Sequence, residues 1–545
     1  MSAATRASVK RCLSGDLNRP AVQKSLTLLR ENREFVPLSV SALARSRADW
    51  LYGMNMTRAY TLQGQQCGYK GVLSVGRVQT PILGLVVRRD LEIERFVAHD
   101  YFSVMAHIVT DDGEKFQAKW RPSESCAEFL DDSGRNLSKP LAENVAERIT
   151  GRPAVVTRYQ AQNKQRAPVL PHSLSSLQID ANKAFGLSAQ LVLDTCQSLY
   201  ERHKAITYPR SDSRHLPLGH FDQASAVAKS AVATLVNAKV DLLGTVKLSE
   251  VIGVIDFRRK SKAWNDANVD AHHAIIPTQT ASSKAQTSSK FTEVETKVYQ
   301  LVVRNYLAQF MPAEQYSEVA VELTILSGLF STKAKSITEL GWTALFPKKK
   351  AKEEDLQTIP LLKKGEQLQC ERGEVVSKKT TPPKHFTEAT LLAAMTGIAR
   401  FVKDSALRKI LKETDGLGTE ATRAGIIELL FKRQFLRRKG KTILATSEGK
   451  SLINALPESA SWPDMTAQWE SQLDAILQRQ QRYQDFMRPL SASLSVLVEQ
   501  AQQASMESLR GLGKAPRRAS KGSKTDVKKR RPAAAPKSAK RVSKG

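Results

Sequence analysis

The sequence is short of cysteine. Its five, Cys12, Cys67, Cys126, Cys196 and Cys370, are scattered over 545 residues without a C-x-x-C pair. That spacing argues against zinc ribbons and a disulfide framework, and for a reducing compartment. No run of about 18 apolar residues occurs, so no membrane span is expected. The N-terminus lacks the apolar stretch of a secretory signal. There is no G-x-x-x-x-G-K-[ST] loop, so nothing marks an ATP phosphate cradle and no ATP of its own is expected to drive its chemistry. Acid is scarce as well: 54 Asp and Glu stand against 83 Lys and Arg, a net charge of +29.

Such a balance favours polyanions through counterion release, and nucleic acid is the commonest of them. Residues 514–545 carry 13 Lys or Arg against a single acid, Asp526. That is +12 of the total and leaves +17 for the remainder, so the body of the protein is basic too. The Lys/Arg/Ala/Pro/Ser-rich end cannot bury enough apolar surface to fold, and is expected to be a disordered tail adding non-specific DNA affinity. At 41% hydrophobic and 25% charged residues, the rest reads as ordinary globular protein, long enough for several domains.

Residues 1–35 read as one or two short polar helices. From Ser39 to about Gln63 the pattern is helical, with Arg47, Trp50, Met54 and Arg58 on one face and Gln65 one to two turns on. An apolar helix is predicted from about Thr80 to Glu94. The period then changes: "YFSVMAHIV" and "KFQAKW" alternate as strands around an Asp111-Asp112-Gly113 turn, a hairpin signature. "PAVVTRY" is another strand. Residues 160–285 return to helix, "SEVAVELTIL" is strand-like, and helices follow Pro382 and Pro383. Strand material near 97–159 and 316–376 is thus separated by helix. The economical division has 36–96 joined to 377–505 as a helical domain and 97–159 joined to 286–376 as a strand-rich one. Residues 160–285 are then an inserted helical domain and 506–545 a disordered tail. A path that returns to its base suits a ring or clamp.

Four stretches carry candidate chemistry. In "ITYPRSD", Ile206 to Asp212, an extended backbone puts Tyr208 and Arg210 on one face, where both can address one phosphate. A phenol is a weak nucleophile unless nearby positive charge favours phenolate, and Arg210 and Lys204 are near in sequence. A guanidinium fork suits the charge spread over phosphate oxygens. Pro209 biases Tyr208 toward an extended conformation, while Ser211 and Asp212 can cap the next segment or hold the arginine. Taken alone, a packed tyrosine fits these residues better. In "DAHHAIIPT", Asp270 to Thr278, the adjacent histidines point apart, which argues against joint chelation of a metal. A core, phosphate-contacting or catalytic histidine all remain open. In "VLSVGRVQTPILGLVVRRDLEIERF", a glycine loop precedes a helix N-terminus, a natural phosphate site; Ser74, Arg77 and Gln79 are candidate backbone contacts. In "DGLGTEATRAGIIELL", Thr419 is a candidate N-cap and Arg423 a candidate phosphate contact.

Together these stretches resemble the type IA DNA topoisomerases, most closely bacterial topoisomerase III. "ITYPRSD" is similar to the family's active-site tyrosine segment and "LSVGRVQTPILGLVVRRDLEIERF" to its long helix signature. "DAHHAIIPT" and "GLGTEATRA" fill two more slots in family order. The likeness runs from about residue 10 to 505. It implies a multidomain α+β toroid, with helical domains and a strand-rich arch domain. It further implies that Tyr208 attacks single-stranded DNA to form a 5′-phosphotyrosine, with Arg210 and His272 in the active site. Arg47, Asp49, Trp50, Arg58, Gln65 and the loop Ser74, Val75, Gly76, Arg77, Val78 and Gln79 would line a single-strand groove. Lys204, Ser211, Asp212, Thr419 and Arg423 are counted with the DNA-contacting set. A bacterial cytoplasmic protein on nucleoid or plasmid DNA is the corresponding location.

Two departures accompany the likeness. His172 follows Pro171 where the family pattern leads us to expect phenylalanine. The Toprim domain that opens the family, with its acids for leaving-group chemistry and magnesium, is absent. No "DxDxEG" is found, residues 1–35 match only that domain's exit segment, and no metal ligand is assigned. The expectation is a truncated or split enzyme, poorly active alone and restored by a Toprim domain in trans. The alternative is a single-stranded DNA-binding module without catalysis. An RNA-binding scaffold rests on charge alone.

Overall fold

The computed structural model describes residues 9–13, 19–242, 244–269, 272–279, 291–348, 357–402, 404–413 and 416–513. The basic stretch 514–545 lies outside the described residues, as do Asp270, Ala271 and Asp415 of the candidate motifs. The first 35 residues hold a helix, Arg19–Thr27, and one short antiparallel pair, Lys10–Arg11 with Arg30–Glu31, which the sequence pattern did not suggest.

Helix α1 (Val36–Gln66) is longer than its apolar pattern implied, because Pro37 starts it one turn earlier. Ala44, Ala48, Tyr52, Met56 and Tyr60 recur every fourth residue and are buried. The opposite face leaves Trp50 64% and Met54 56% exposed. Helix α2 (Gln79–Glu94) is buried from Thr80 to Val87, so it forms the interior wall of this helical unit.

The strands close one six-stranded antiparallel barrel. They are β1 (Asp100–Val109), β2 (Lys115–Arg121), β3 (Arg152–Arg166), β4 (Glu314–Ile325), β5 (Gly328–Glu339) and β6 (Gln367–Lys379), in the order β1-β2-β5-β4-β3-β6 with β6 closing on β1. Alternation drives it: Phe116, Ala118 and Trp120 of β2 point inward while Lys115, Gln117, Lys119 and Arg121 face out. Gly113, at φ +82°, turns β1 into β2. The barrel core is separate from the helical core. Its closure is partial. β3 meets β6 only at Arg152–Val155, and β2 meets β5 only at Lys119–Arg121. Beyond those points β3, β4 and β5 leave as a three-stranded ribbon, and β1 with β6 as a two-stranded one.

The three-stranded ribbon leads to helices α4 (Leu174–Phe185), α5 (Ala189–Glu201), α6 (Ala224–Asn237) and α7 (Glu293–Leu307). The last of these corrects the division drawn at residue 286. Val298, Tyr299, Leu301, Val302 and Val303 of α7 are buried in the helical core, against α4, α5 and α6, rather than in the barrel. Its heptad-like apolar run needs helices as partners, and the barrel offers only an outer polar face. The two-stranded ribbon leads to α8 (Glu388–Thr396), α9 (Glu420–Lys432), the hairpin β7 (Leu436–Lys439) with β8 (Thr442–Ala445), α10 (Asp464–Leu477) and α11 (Tyr483–Gln503). Helices α10 and α11 pack on α1. The chain also stays folded past 505: Met506 and Leu509 are buried, and the Lys70 N–H donates to the Leu512 carbonyl at 3.0 Å. Two apolar anchors three residues apart suffice to hold that segment.

One close approach is testable. A Cβ at Gly373 of β6 would lie 2.3 Å from the Ala146 carbonyl oxygen, on the helix Lys139–Ile149 that covers the barrel. Gly373→Ala should cost about 1–3 kcal/mol of stability, read as a lower urea midpoint for barrel unfolding, with DNA binding retained.

Candidate active site and nucleic-acid interface

Two sequence-distant segments are stitched side by side. Ile206 bridges Pro277 and His172 bridges Ile275. The Thr207 N–H donates to the Ile276 carbonyl at 3.0 Å, and the Thr207 hydroxyl accepts from the Ile276 N–H at 3.0 Å and donates to the Ala274 carbonyl at 3.2 Å. The next residue, Tyr208, is thereby laid on His272: the rings stack at 4.4 Å between centroids, 20° from parallel. From α5, Tyr200 meets the Tyr208 ring edge-on at 5.8 Å. Tyr208 is half-buried, packed on two sides and open to solvent.

Arg210 is exposed, and its Nη2 donates to Gln197 Oε1 of α5 at 3.0 Å. Lys204 is exposed in a left-handed turn, φ +53°. The Thr278 N–H donates to Ala205, and the Thr278 hydroxyl donates to Lys204, holding this uncommon geometry. Asp212 is exposed as well. Ser211 is not: it is fully buried, its carbonyl accepting from the Leu174 N–H and its hydroxyl from the Ser213 N–H. Its place is the turn, so it has no surface to offer DNA.

Burial lowers the pKa of His272 below the ordinary histidine value. The Asp212 carboxylate opposes the shift and His273 adds to it. The imidazole is therefore neutral at pH 7. His273 points away, meeting His220 at 4.8 Å, and the two histidines do not share a ligand site. Among the described residues no group of three His, Cys, Asp or Glu side chains could hold a metal ion.

The groove residues divide. Arg47, Trp50, Arg58 and Gln65 are exposed on α1. Arg47 donates to the Tyr483 hydroxyl at 3.0 Å. The loop Ser74–Gln79 is tied along α1 by Thr57, whose hydroxyl accepts from the Val75 N–H at 3.0 Å, and by Thr61, which accepts from the Leu73 N–H. Ser74 Oγ and Gln79 Oε1 are buried without a hydrogen-bond partner among the described residues. They flank the start of α2, where the Thr80 and Ile82 N–H groups donate to the Gly76 and Val78 carbonyls and Pro81 has no N–H. Gly76 and Val78 are half-buried there, and Val75 is buried.

Two arginines proposed for phosphate are spent inside. Arg77 is 5% exposed, with Nε and Nη2 on Asp49 at 2.8 and 3.2 Å and Nη1 on Glu470 at 2.8 Å, stacked over Trp469. Asp49 serves that pair. Arg423 is fully buried, bonded to Ser175 Oγ at 2.8 Å and Glu420 Oε1 at 2.9 Å. The carboxylates of Arg77 come from segments distant in sequence, which local spacing does not reveal, and Arg423 pairs with Glu420 of its own helix while reaching Ser175 on another. Thr419 is exposed, its N–H donating to Thr422 Oγ1 at 3.0 Å at the head of α9. Its loop abuts the α2 start, since a Cβ at Gly418 would sit 3.3 Å from Val78 Cγ1.

Gln197 and Tyr200 escaped sequence reading. Their three-residue spacing near a helix end put them on one face, but nothing in the sequence tied that face to Tyr208.

The DNA topoisomerase family profile matches residues 33–488. DNA topoisomerase 3 of Salmonella typhimurium is 55% identical over 513 residues, covering 94% of this chain and 77% of its own length. Its counterpart in Vibrio cholerae is 54% identical over 501 residues, covering 91% and 75%. DNA topoisomerase 3 of Bacillus subtilis is 33% identical over 512 residues, covering 92% and 66%. Among solved structures, full-length topoisomerase I from Thermotoga maritima superposes with a TM-score of 0.61 at 22% identity, covering 91% of this chain and 74% of that one.

The histidine that departs from the family pattern gives a pH prediction. His172 is 3% exposed, its Nδ1 paired with Ser176 Oγ at 3.0 Å, and its Nε2 is 3.6 Å from Asp180, too far to bond. Burial first, then the charges of Arg304 and Arg214, hold its pKa well below the ordinary value. The unfolded chain therefore binds this proton more readily than the folded one. Stability is full above the unfolded pKa of about 6.5 and falls as pH drops below it. His172→Phe should flatten the loss of urea midpoint between about pH 7.5 and 5.5.

Proposed function

The chain belongs to the type IA DNA topoisomerases, topoisomerase III-like in sequence and multidomain α+β in fold, and from that premise we propose that it breaks and rejoins single-stranded DNA through Tyr208. Tyr208 Oη gives up its proton to solvent and attacks a backbone phosphorus, the new P–Oη bond replaces the P–O3′ bond, and the 3′ oxygen leaves to take up a proton. One phosphodiester is exchanged for another, so rejoining is the same step reversed and needs no ATP. The observation that carries this reading is the Tyr208–His272 stack with Arg210 two residues on and open to solvent. Arg210, tethered by Gln197, stabilises charge on the phosphoryl oxygens. Neutral His272 fixes the ring and leaves the site's positive charge to Arg210 and Lys204.

The proton for the 3′ oxygen needs an acid, and general acid catalysis is typically worth about 10²–10⁴-fold. The described residues do not fit a magnesium site, and no step is assigned to magnesium on them. We assign both tasks to the acids of a Toprim domain, on the same polypeptide or in trans. DNA lies along the exposed face of α1, with bases stacking on Trp50 and phosphates meeting Arg47 and Arg58. A phosphate also seats at the start of α2 against Ser74 and Gln79. No helix among the described residues is long and apolar enough to cross a membrane.

The test uses a 3′-end-labelled single-stranded oligonucleotide with magnesium and an added Toprim domain. The label should stay covalently on the protein in a denaturing gel and vanish in Tyr208→Phe. Arg210→Gln should slow adduct formation by about 10²–10³-fold while oligonucleotide binding persists. An adduct surviving Tyr208→Phe overturns the assignment. Binding with no adduct under any condition favours the non-catalytic DNA-binding module.

The groove has its own test by fluorescence anisotropy on labelled oligonucleotide. Trp50→Ala should weaken binding by about 1–3 kcal/mol. Arg58→Ala should lower the log–log salt slope by about 0.7, whereas Arg77→Ala should unfold the groove rather than change that slope.

A further inference from the structure

Where the helices bearing Tyr208 meet the groove helices, three helix N-termini come to one seam. Each takes a cap from the opposite side. The Ala189 N–H, at the start of α5, donates to Glu388 Oε2 at 2.8 Å. The Ser175 N–H, at the start of α4, donates to Glu420 Oε2. In return, the Ala389 N–H of α8 donates to Asn182 Oδ1 of α4 at 3.1 Å. The second oxygen of each carboxylate is held on its own side. Arg438 donates to Glu388 Oε1 at 2.8 and 3.0 Å, and Arg423 to Glu420 Oε1 at 2.9 Å.

None of the three helices needs these caps to form. Ser173, Ser188 and Thr387 already cap α4, α5 and α8, accepting from Ser176, Leu191 and Thr390. The cross-seam bonds use N–H groups of the first turn that each unit alone would give to water. They are charge-assisted and aligned with the helix dipoles, so they are directional. When parted, each carboxylate keeps its arginine and each helix keeps its own cap. Arg423 adds a further tie across the seam, its Nη1 donating to Ser175 Oγ at 2.8 Å beside an apolar core that both sides share, and together these contacts fix a docking position.

What they position is the reacting pair. Helix α5, 13 residues long, leads from the Glu388 contact at Ala189 to Gln197 and Tyr200 near its far end, the two side chains that hold Arg210 and brace Tyr208. We propose that Glu388, Glu420 and Asn182 are positioning residues, a reversible clasp that sets the tyrosine-bearing helices against the groove for cleavage and rejoining. The proposal rests on the phosphotyrosine reading. There, one DNA end rides on Tyr208 and the other stays in the groove, so the two sides must dock accurately and also part.

Hydrogen exchange by mass spectrometry tests it on the full chain, in Glu388→Gln and in Asn182→Ala. Peptides opening α4, α5 and α8 should exchange faster together, by about tenfold, because losing one tie loosens the docking of all three. Barrel and α1 peptides should be unchanged, and oligonucleotide affinity should hold within about twofold, as for sites without shared partners. Adduct yield with added Toprim domain should fall in both variants, and its dependence on oligonucleotide concentration should not. Faster exchange confined to the helix that lost its bond, or spread into α1 and α2, overturns the clasp. If the unsubstituted chain forms no adduct, the catalytic reading fails, and the exchange pattern alone still decides whether the seam is a clasp.

Discussion

The site depends on a short backbone stitch. Thr207 exchanges hydrogen bonds with Ile276 and Ala274, so a segment 70 residues away in sequence becomes the neighbour of Tyr208. A ring on a lone extended segment would swing freely, since a tyrosine has two side-chain torsions. Here the stitch sets the backbone, His272 covers one face and Tyr200 meets the ring on its edge. Each aromatic contact is worth only about 0.5–1.5 kcal/mol. Together they select one orientation from several, and orientation is what an attack on phosphorus requires. Lys204 accepts an uncommon left-handed backbone in the same turn, held by two bonds from Thr278.

The groove is ordered by a different interaction. Glu470 joins Arg45 and Arg77, and Asp49 takes the other edge of Arg77. A buried pair of this kind contributes little net stability, because desolvation offsets the Coulomb gain, but removing one partner is costly. Its effect is to register the α2 start against α1 and α10. Thr57 and Thr61, four residues apart on α1, complete the register by holding the loop backbone. The loop is thus held in place before any ligand arrives, with Ser74 Oγ and Gln79 Oε1 buried beside the helix start.

Much of the fold was legible because period and burial agree. The two-residue alternation of "KFQAKW" is the inward and outward alternation of β2, and the four-residue rhythm of α1 is its buried face. The multidomain α+β class followed from those periods. Partial barrel closure was not legible, since pairing lengths depend on where ribbons twist away. The helix Glu293–Leu307 was assigned to the wrong neighbour because it is buried on nearly every side, polar Gln300, Arg304 and Asn305 included, and its apolar pattern does not name its partner. In the site, residue types alone favoured a packed Tyr208 and left the histidines open, and it was the likeness to the family's active-site segments that singled out Tyr208, Arg210 and His272. Arg77 and Arg423 looked alike in sequence to surface phosphate ligands. Asp49 and Glu470 from other helices turn Arg77 inward, and Ser175 of α4 together with Glu420 of its own helix turns Arg423 inward.

That inward turn bears on how a chain of net charge +29 meets DNA. Counterion release counts only cations that reach phosphate. Arg77 and Arg423 are paired within the fold, so their charge is lost to the surface, and on the proposed reading the exposed Arg47, Arg58, Lys204 and Arg210 do the contacting. Trp50 and Met54, set between Arg47 and Arg58 on α1, give the same face an apolar strip. A duplex presents few base faces to such a strip, whereas an open strand presents all of them. The composition therefore favours a polyanion, and the proposed groove on α1 suits a strand with its bases free. The same argument separates the two tasks of the chain. Groove contacts are many and individually weak, so binding tolerates the loss of one, whereas the single stitched tyrosine has no substitute.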